Sequence, residues 1–185
     1  YSERENGRPN IRPVGAHMQI VDKADYGRLK KQKVIASANP YWFAKEKGYF
    51  YGLEAPYLGM ERAEHEYPMR SLKDEAGVLL ASGSDFPVTF PPAPLTAIQM
   101  GVTRCDFRDD WSDPDSVLNK DEAVTVEQMI RSITINAAYA DFAEDITGSI
   151  TPGKYADFVV LGKDIFQVAA DEIYKIPIVM TVSEG

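Results

Sequence analysis

Two side chains in this sequence stand where a strand-borne chemical centre would need them. His17 lies inside the mostly apolar run at residues 14–21 (VGAHMQIV), and Asp85 closes a second apolar run at 78–85 (VLLASGSD), directly before Phe86 and Pro87. An imidazole and a carboxylate 68 residues apart, on what would be the first and third strands, act together only if the fold joins them, and the pairing suits a metal centre built across a barrel mouth. Taken singly, each has a plainer reading. A histidine within an apolar strand is more often a satisfied core residue than a ligand, and Asp85 is as well placed to cap a turn as to do chemistry. The second histidine, His65, sits in the charged run ERAEHEY and reads as a surface residue. Cys105, the single cysteine, follows an expected helix with no nucleophile motif around it and reads as a bystander. Gly83-Ser84-Asp85 is not a G-x-S-x-G elbow, and neither a phosphate-binding P-loop nor an H-E-x-x-H zinc helix occurs, which removes serine hydrolysis and P-loop chemistry.

The elements that must position these residues follow from pattern. Residues 14–21 predict a first strand, 24–33 a short helix, and 34–38 (VIASA) a second strand closed by Asn39-Pro40. A long aromatic connection at 41–67 follows, rich in Tyr, Phe and Gly; its aromatic part from Tyr41 to Tyr57 either lines a pocket or packs the loop onto the fold. Pro68 opens a helix that Gly77 ends, and 78–85 is the third strand. Pro87, Pro91, Pro92 and Pro94 break the chain before a helix at about 95–102, and an acidic loop at 106–122 is expected to be exposed. Thr125 and Gln128 form a capping box for one continuous helix at 126–142, and two β-runs near 155–164 and 177–184 flank a short helix at 169–175. Buried strands alternating with helices give an α/β architecture with parallel pairing. Three strands do not close a β/α barrel, which takes eight strands and ~250 residues, so this is a small open sheet or part of a larger barrel.

Composition bounds the partners. The chain has 185 residues, 44% hydrophobic and 26% charged, as expected for a folded globular protein. A net charge of -8 opposes binding to nucleic acid, because phosphate contacts need clustered cations. The run Lys30-Lys31-Gln32-Lys33 sits at a helix end, where cations complement the dipole. No apolar stretch is long enough to span a membrane. One cysteine fits a reducing, cytoplasmic compartment.

Three blocks then form a recognisable order: VLLASGSDFPV with its Pro-rich loop, TVEQMIRSITINAAYADF, and TGSITPGKYADFVVLGKD. The order resembles the C-terminal part of the amidohydrolase superfamily, in particular the type 3 amidohydrolase branch of metal-dependent hydrolases. Its tail pattern, a helix ending in T-x-N-A-A and then G-x-(I/L)-x-P-G-K-x-A-D-(L/F)-V-V-L, is matched from Thr134 to Leu161. The resemblance implies about strands six to eight of a TIM-like β/α barrel at residues 1–147, with 148–185 supplying strands of a flanking small β-domain. It also implies a divalent metal in the full-length enzyme, zinc being expected, and a metal-activated water attacking an amide or cyclic amide C–N bond of a small-molecule substrate. Asp85 matches the eighth-strand ligand and general base. His17 is similar to the sixth-strand histidine, usually in an E-H-A-Q-L-V setting; Gln19, Ile20 and Val21 fit, while Ala16 replaces the Glu.

The family's H-x-H and fifth-strand histidine are not found here, so those ligands are expected upstream of Tyr1, and the tail is expected to continue past Gly185. On that reading the chain alone is inactive, with no metal bound. The alternative is a non-catalytic binding or assembly module derived from the same fold. Either way, a cut barrel exposes strand edges and predicts self-association or a homo-oligomer.

Overall fold

A computed structural model describes residues 10–89 and 91–185. Its centre is a three-stranded parallel sheet in the order β1 (Val14–Ala16), β2 (Ile35–Ala38), β3 (Leu79–Ser82). β2 lies in the middle, and Ile35, Ala36 and Ala38 are buried, as the apolar run VIASA requires. Helix Tyr26–Lys31 connects β1 to β2, and helix Met69–Asp74 leads into β3. The α/β reading holds.

All three strands are shorter than their apolar runs. β1 stops at Ala16 because His17 and Met18 adopt left-handed backbone, with φ of 62° and 52°. The last ladder bond on this strand is His17 N–H to the Ser37 carbonyl, at 2.8 Å. β3 ends at Ser82, and Asp85 falls in the turn beyond it rather than on the strand.

Helix Pro94–Thr103 is buried on nearly every side, including Thr96, Ala97, Ile98, Gln99, Met100 and Thr103. It packs against helix Val126–Ile133, the turn Pro40–Trp42 and the 3-10 helix Ala170–Lys175, so it ties the late part of the chain to the segment that follows β2. Gln99 Oε1 accepts from Tyr174 N–H at 3.0 Å across that contact.

The expected helix at 126–142 is two helices, Val126–Ile133 and Ile135–Ala140, and the break has a local cause. Thr134 turns out of helical backbone at φ -118°, ψ -100°, and its hydroxyl donates to the Ile130 carbonyl at 2.7 Å. Such a back-bond competes with the helix ladder. Beyond the break, Asn136 Nδ2 donates to the Leu80 carbonyl at 2.8 Å and draws the second helix onto β3.

The tail motif explains itself physically. Asp157 Oδ2 accepts from the Thr147 hydroxyl and its Oδ1 from Glu184 N–H, both at 2.9 Å, and these bonds lower the carboxyl pKa. Lys154 Nζ donates to Ser149 Oγ at 2.8 Å. Asp157 thus pins a hairpin of β4 (Phe158–Leu161) and antiparallel β5 (Ile178–Val182), which forms a sheet separate from β1–β3. Val159, Ile178, Val179 and Met180 are exposed on that hairpin.

Gly148 occupies the tightest point of the motif. Its φ is 83°, and a methyl placed on it would stand 2.7 Å from Ala138 Cβ and 3.0 Å from Ile135 Cα. Gly148→Ala is expected to lower unfolding free energy by about 1–3 kcal/mol, from left-handed backbone strain plus displacement of the second helix. Urea denaturation measures this, and an unchanged midpoint would show that the helix is free to move away.

Candidate active site

The parallel sheet delivers its strand ends to one edge. His17 follows β1, Asn39 follows β2, and Gly83, Ser84 and Asp85 follow β3. In an α/β sheet the loops at this edge are where catalytic groups gather. The structure therefore brings the two sequence-selected residues to the same edge and sets a third polar residue between them.

Asn39, which sequence reasoning treated only as the end of a strand, is that residue. It is 6% exposed. Its Oδ1 lies 2.7 Å from His17 Nδ1, and its Nδ2 donates to the Gly83 carbonyl at 3.3 Å. Gly83 N–H donates in turn to the Ala38 carbonyl at 3.0 Å, so the start of the Asp85 loop is held to β2 from both sides. The signal for Asn39 was its place: a polar residue at the C-terminal end of an apolar run, like Asp85, followed by a proline.

Trp42, from the turn Pro40–Trp42, stacks on the His17 ring with centroids 5.1 Å apart and planes 30° apart. Trp42 Nε1 donates to Thr89 Oγ1 at 3.2 Å. The aromatic stretch thus divides by role. Trp42 faces the histidine, Phe43 and Phe50 are 1% and 0% exposed in the core, and Tyr49, Tyr51 and Tyr57 reach the surface.

Asp85 is exposed in its turn, with φ 55°; its carbonyl accepts from Val88 N–H at 2.7 Å, and the following Phe86–Pro87 peptide is cis. Both His17 and Asp85 hold left-handed backbone, a conformation non-glycine residues adopt at a cost and one that clusters at functional sites. Imidazole nitrogen and carboxylate are donor types that a divalent ion such as zinc takes, so the pair fits part of a coordination set. β1 and β3 are two strand spacings apart, ~10 Å, so an ion shared by both requires the two side chains to lean together across Asn39. Among the described residues no cluster of three or more His, Cys, Asp or Glu side chains suited to a metal is present.

His65 and Cys105 keep their plainer readings. His65 is exposed, with Nδ1 2.7 Å from the Glu61 carbonyl. Cys105 is 1% exposed, and burial, reinforced by Asp109 and Asp106, pushes its thiol up to about 12, the opposite of an activated nucleophile.

With this geometry in view, comparison with known proteins decides the family: the model of the amidohydrolase family matches residues 1–185. The chain belongs to the amidohydrolase family. It is 34% identical over 128 residues to the N-substituted formamide deformylase of Arthrobacter pascens, covering 68% of this chain and 22% of that protein. It is 33% identical over 146 residues to Protein LONG AFTER FAR-RED 3 of Arabidopsis thaliana, covering 78% and 23%. An uncharacterized metal-dependent hydrolase from Pyrococcus horikoshii superposes with a TM-score of 0.66 at 22% identity, over 91% of this chain and 32% of that one. An amidohydrolase from Thermotoga maritima gives 0.61 at 19% identity, over 99% and 37%. These structural matches speak to the fold. The amidohydrolase chain spans well under half the length of each of these proteins.

Behind the edge of this amidohydrolase chain lies a buried polar knot that the sequence did not disclose. Gln19, two residues past His17, donates from Nε2 to Glu54 Oε1 at 2.6 Å and to Glu66 Oε1 at 2.9 Å. Tyr67 N–H donates to the Gln19 carbonyl at 2.7 Å. Arg104 is fully buried beside them: Nε donates to the Leu118 carbonyl at 2.8 Å, Nη2 to the Glu66 carbonyl at 2.9 Å, and the guanidinium lies 4.5 Å from the Phe43 ring centre. Burial lowers the Arg104 pKa, opposed by Glu122, Tyr67 and Glu66. Burial also raises both carboxyls; in Glu66 the charge of Glu54 adds to it and carries the group up to about 8.

An acid whose folded pKa exceeds its unfolded value stabilises the fold most below the unfolded value, and that contribution is lost as pH rises through the folded one. For Glu66 the window runs from 4.5 to about 8. Urea midpoints are therefore expected to fall with rising pH across this window, and Glu66→Gln, neutral at every pH, to flatten the slope. Parallel slopes in the two proteins would mean that Glu66 is ionised in the folded state throughout.

Proposed function

We propose that this chain supplies the last strands, about six to eight, of a TIM-like β/α barrel in a metal-dependent hydrolase acting on amide or cyclic amide C–N bonds. The observation that carries the proposal is the placement of His17 and Asp85 beyond the C-terminal ends of two strands of one parallel sheet, in a chain of the amidohydrolase family. The deformylase of Arthrobacter pascens, named for its action on N-substituted formamides, supports the C–N bond as the target. The structural relatives that are metal-dependent hydrolases support a divalent cation in the whole enzyme, and imidazole with carboxylate favours zinc.

In this reading His17 offers a ring nitrogen and Asp85 a carboxylate to the ion, and Asp85 takes a proton from the attacking water. A divalent ion held there would supply polarisation of the carbonyl and a lowered pKa of water. Asp85 suits the base role because its carboxylate stands in an exposed turn, open to substrate and solvent, not locked in the core. Trp42 forms an apolar wall beside His17, so the aromatic segment is assigned to the substrate side of the site at this one residue. Phe43 and Phe50, being buried, serve packing.

The rest of the proposal concerns assembly. Residues 148–185 contribute the hairpin β4–β5 to a small flanking β-domain, and the exposed apolar faces of that hairpin, with the outer edges of β1 and β3, which no further strand pairs among the described residues, support association with further strands. Among the described residues no helix is long and apolar enough to cross a membrane.

The test is hydrolysis of an N-formylated amine with added zinc. The 185-residue chain alone is expected to be inactive, because two donors do not complete a coordination set of three or four protein ligands. The chain extended to the length of its relatives is expected to be active, with Asp85→Asn reducing kcat/KM by about 10²–10⁴-fold. Metal-dependent turnover by the short chain, or full activity in the Asp85→Asn variant, would overturn this assignment.

A further inference from the structure

The Asn39 side chain is oriented by a backbone carbonyl. Gly83 O is able only to accept, so the Asn39 group facing it is the amide NH2. The opposite side of the same planar amide, Oδ1, then faces His17 Nδ1 at 2.7 Å. Oδ1 is also only an acceptor, so Nδ1 must carry the proton. A neutral imidazole holds one proton, which leaves the lone pair on Nε2.

We propose that Asn39 is a positioning residue that fixes the tautomer of His17, relaying the backbone of the β3 loop through its amide so that Nε2 is presented as the ligating nitrogen. The proposal deepens the reading of His17 as a metal ligand and rests on that reading for its consequence, while the tautomer itself does not depend on it. A free histidine side chain favours the opposite tautomer, with the proton on Nε2, so the Asn39 contact does work against the intrinsic preference. Ligating histidines are commonly held in this way, by an acceptor on the nitrogen that does not bind the ion.

Three features make the relay firm. Asn39 is almost fully buried, so water does not compete for its two bonds. Gly83 is held from the other direction by its own N–H bond to Ala38, which stops the carbonyl from drifting. Trp42, three residues beyond Asn39, fixes the plane of the imidazole by stacking, so a single short segment sets both the proton position and the ring orientation. No titration is involved: Asn39 is uncharged, and the device selects between two neutral forms.

The experiment uses the 15N-labelled 185-residue chain without metal. Its two histidines are resolvable by long-range 1H–15N correlation spectra, which distinguish the two neutral tautomers from each other and from the doubly protonated ring. His17 is expected to give the pattern of an Nδ1–H, Nε2-lone-pair ring. His65, whose Nδ1 faces the Glu61 carbonyl, serves as an internal reference for that pattern and for folding. Asn39→Ala is expected to move His17 toward the Nε2–H form, and Asn39→Asp, which keeps an acceptor, to restore the wild-type pattern. An Nε2–H ring in the wild type overturns the proposal without any variant. So does an unchanged ring in a folded Asn39→Ala protein. In the protein extended to the length of its relatives, Asn39→Ala is expected to weaken zinc affinity by about 10–100-fold. Unaltered zinc content in His17→Ala would sink the ligand reading and leave the tautomer result standing, so the two failures are distinguishable.

Discussion

Strand β2 is paired in parallel on both sides, Ala36 standing opposite Gly15 on one neighbour and Leu80 on the other, and this shared register is the constraint on which the site rests. Parallel pairing sends all three chains off the same edge, so the residues that follow each strand meet without any further instruction. Had β3 run antiparallel to β2, Asp85 would leave from the far end of the sheet. The ladder does not stop cleanly at the edge. It is continued by His17 N–H to Ser37 and by Gly83 N–H to Ala38, and the Asn39 amide adds the last crossing contacts. The site is an extension of the sheet's hydrogen bonding into side chains.

A second level of order lies beneath that edge. The long connection from Tyr41 to Tyr67 has little regular structure of its own beyond short helical turns, and it is fastened by burying polar groups as well as apolar ones. Phe43, Phe50 and Tyr67 enter the core, and Glu66 and Arg104 go in with them, fully buried. Polar groups in such a place need partners, and here those are the carbonyls of Leu118 and Glu66 for Arg104 and the amide of Gln19 for Glu66. Removing Gln19 would leave Glu54 and Glu66 facing each other without their shared donor. The loop after His17 and the aromatic segment are therefore one unit, although 35 and 47 residues of chain separate Gln19 from its two carboxyl partners.

What was legible in the sequence follows from which forces are local. Apolar runs gave the three parallel strands, and the capping box at Thr125 gave the start of its helix. His17 stood out as a histidine inside an apolar run and Asp85 as a carboxylate closing one, and both settings are written in the chain. The strand lengths were not, since nothing in VGAHMQIV announces positive φ at His17 and Met18. The helix break at Thr134 depends on where a hydroxyl donates, and a periodic pattern of apolar residues passes straight over it. Asn39 and Glu66 were missed for the same reason: an asparagine before proline reads as a turn, a glutamate in ERAEHEY reads as solvated, and only contacts with distant residues change their meaning. The division of the chain into a barrel part and a flanking β part remains a reading of the tail motif.

The Gly83 carbonyl accepts its bond from Asn39 two residues before Asp85 and four before Pro87. The contact between Asn39 and Gly83 is thus completed upstream of the Pro-rich loop, which returns one bond to the edge through Thr89 Oγ1, the acceptor for Trp42 Nε1. Lengthening or rewriting the chain between Pro91 and Pro94 alters what a ligand meets above the edge while the contact between Asn39 and Gly83 stays as it is, whereas a single residue gained or lost between Ser82 and Asp85 shifts the carbonyl and the carboxylate together. Along this stretch of backbone, the boundary between what can diversify and what must be copied falls within a few residues.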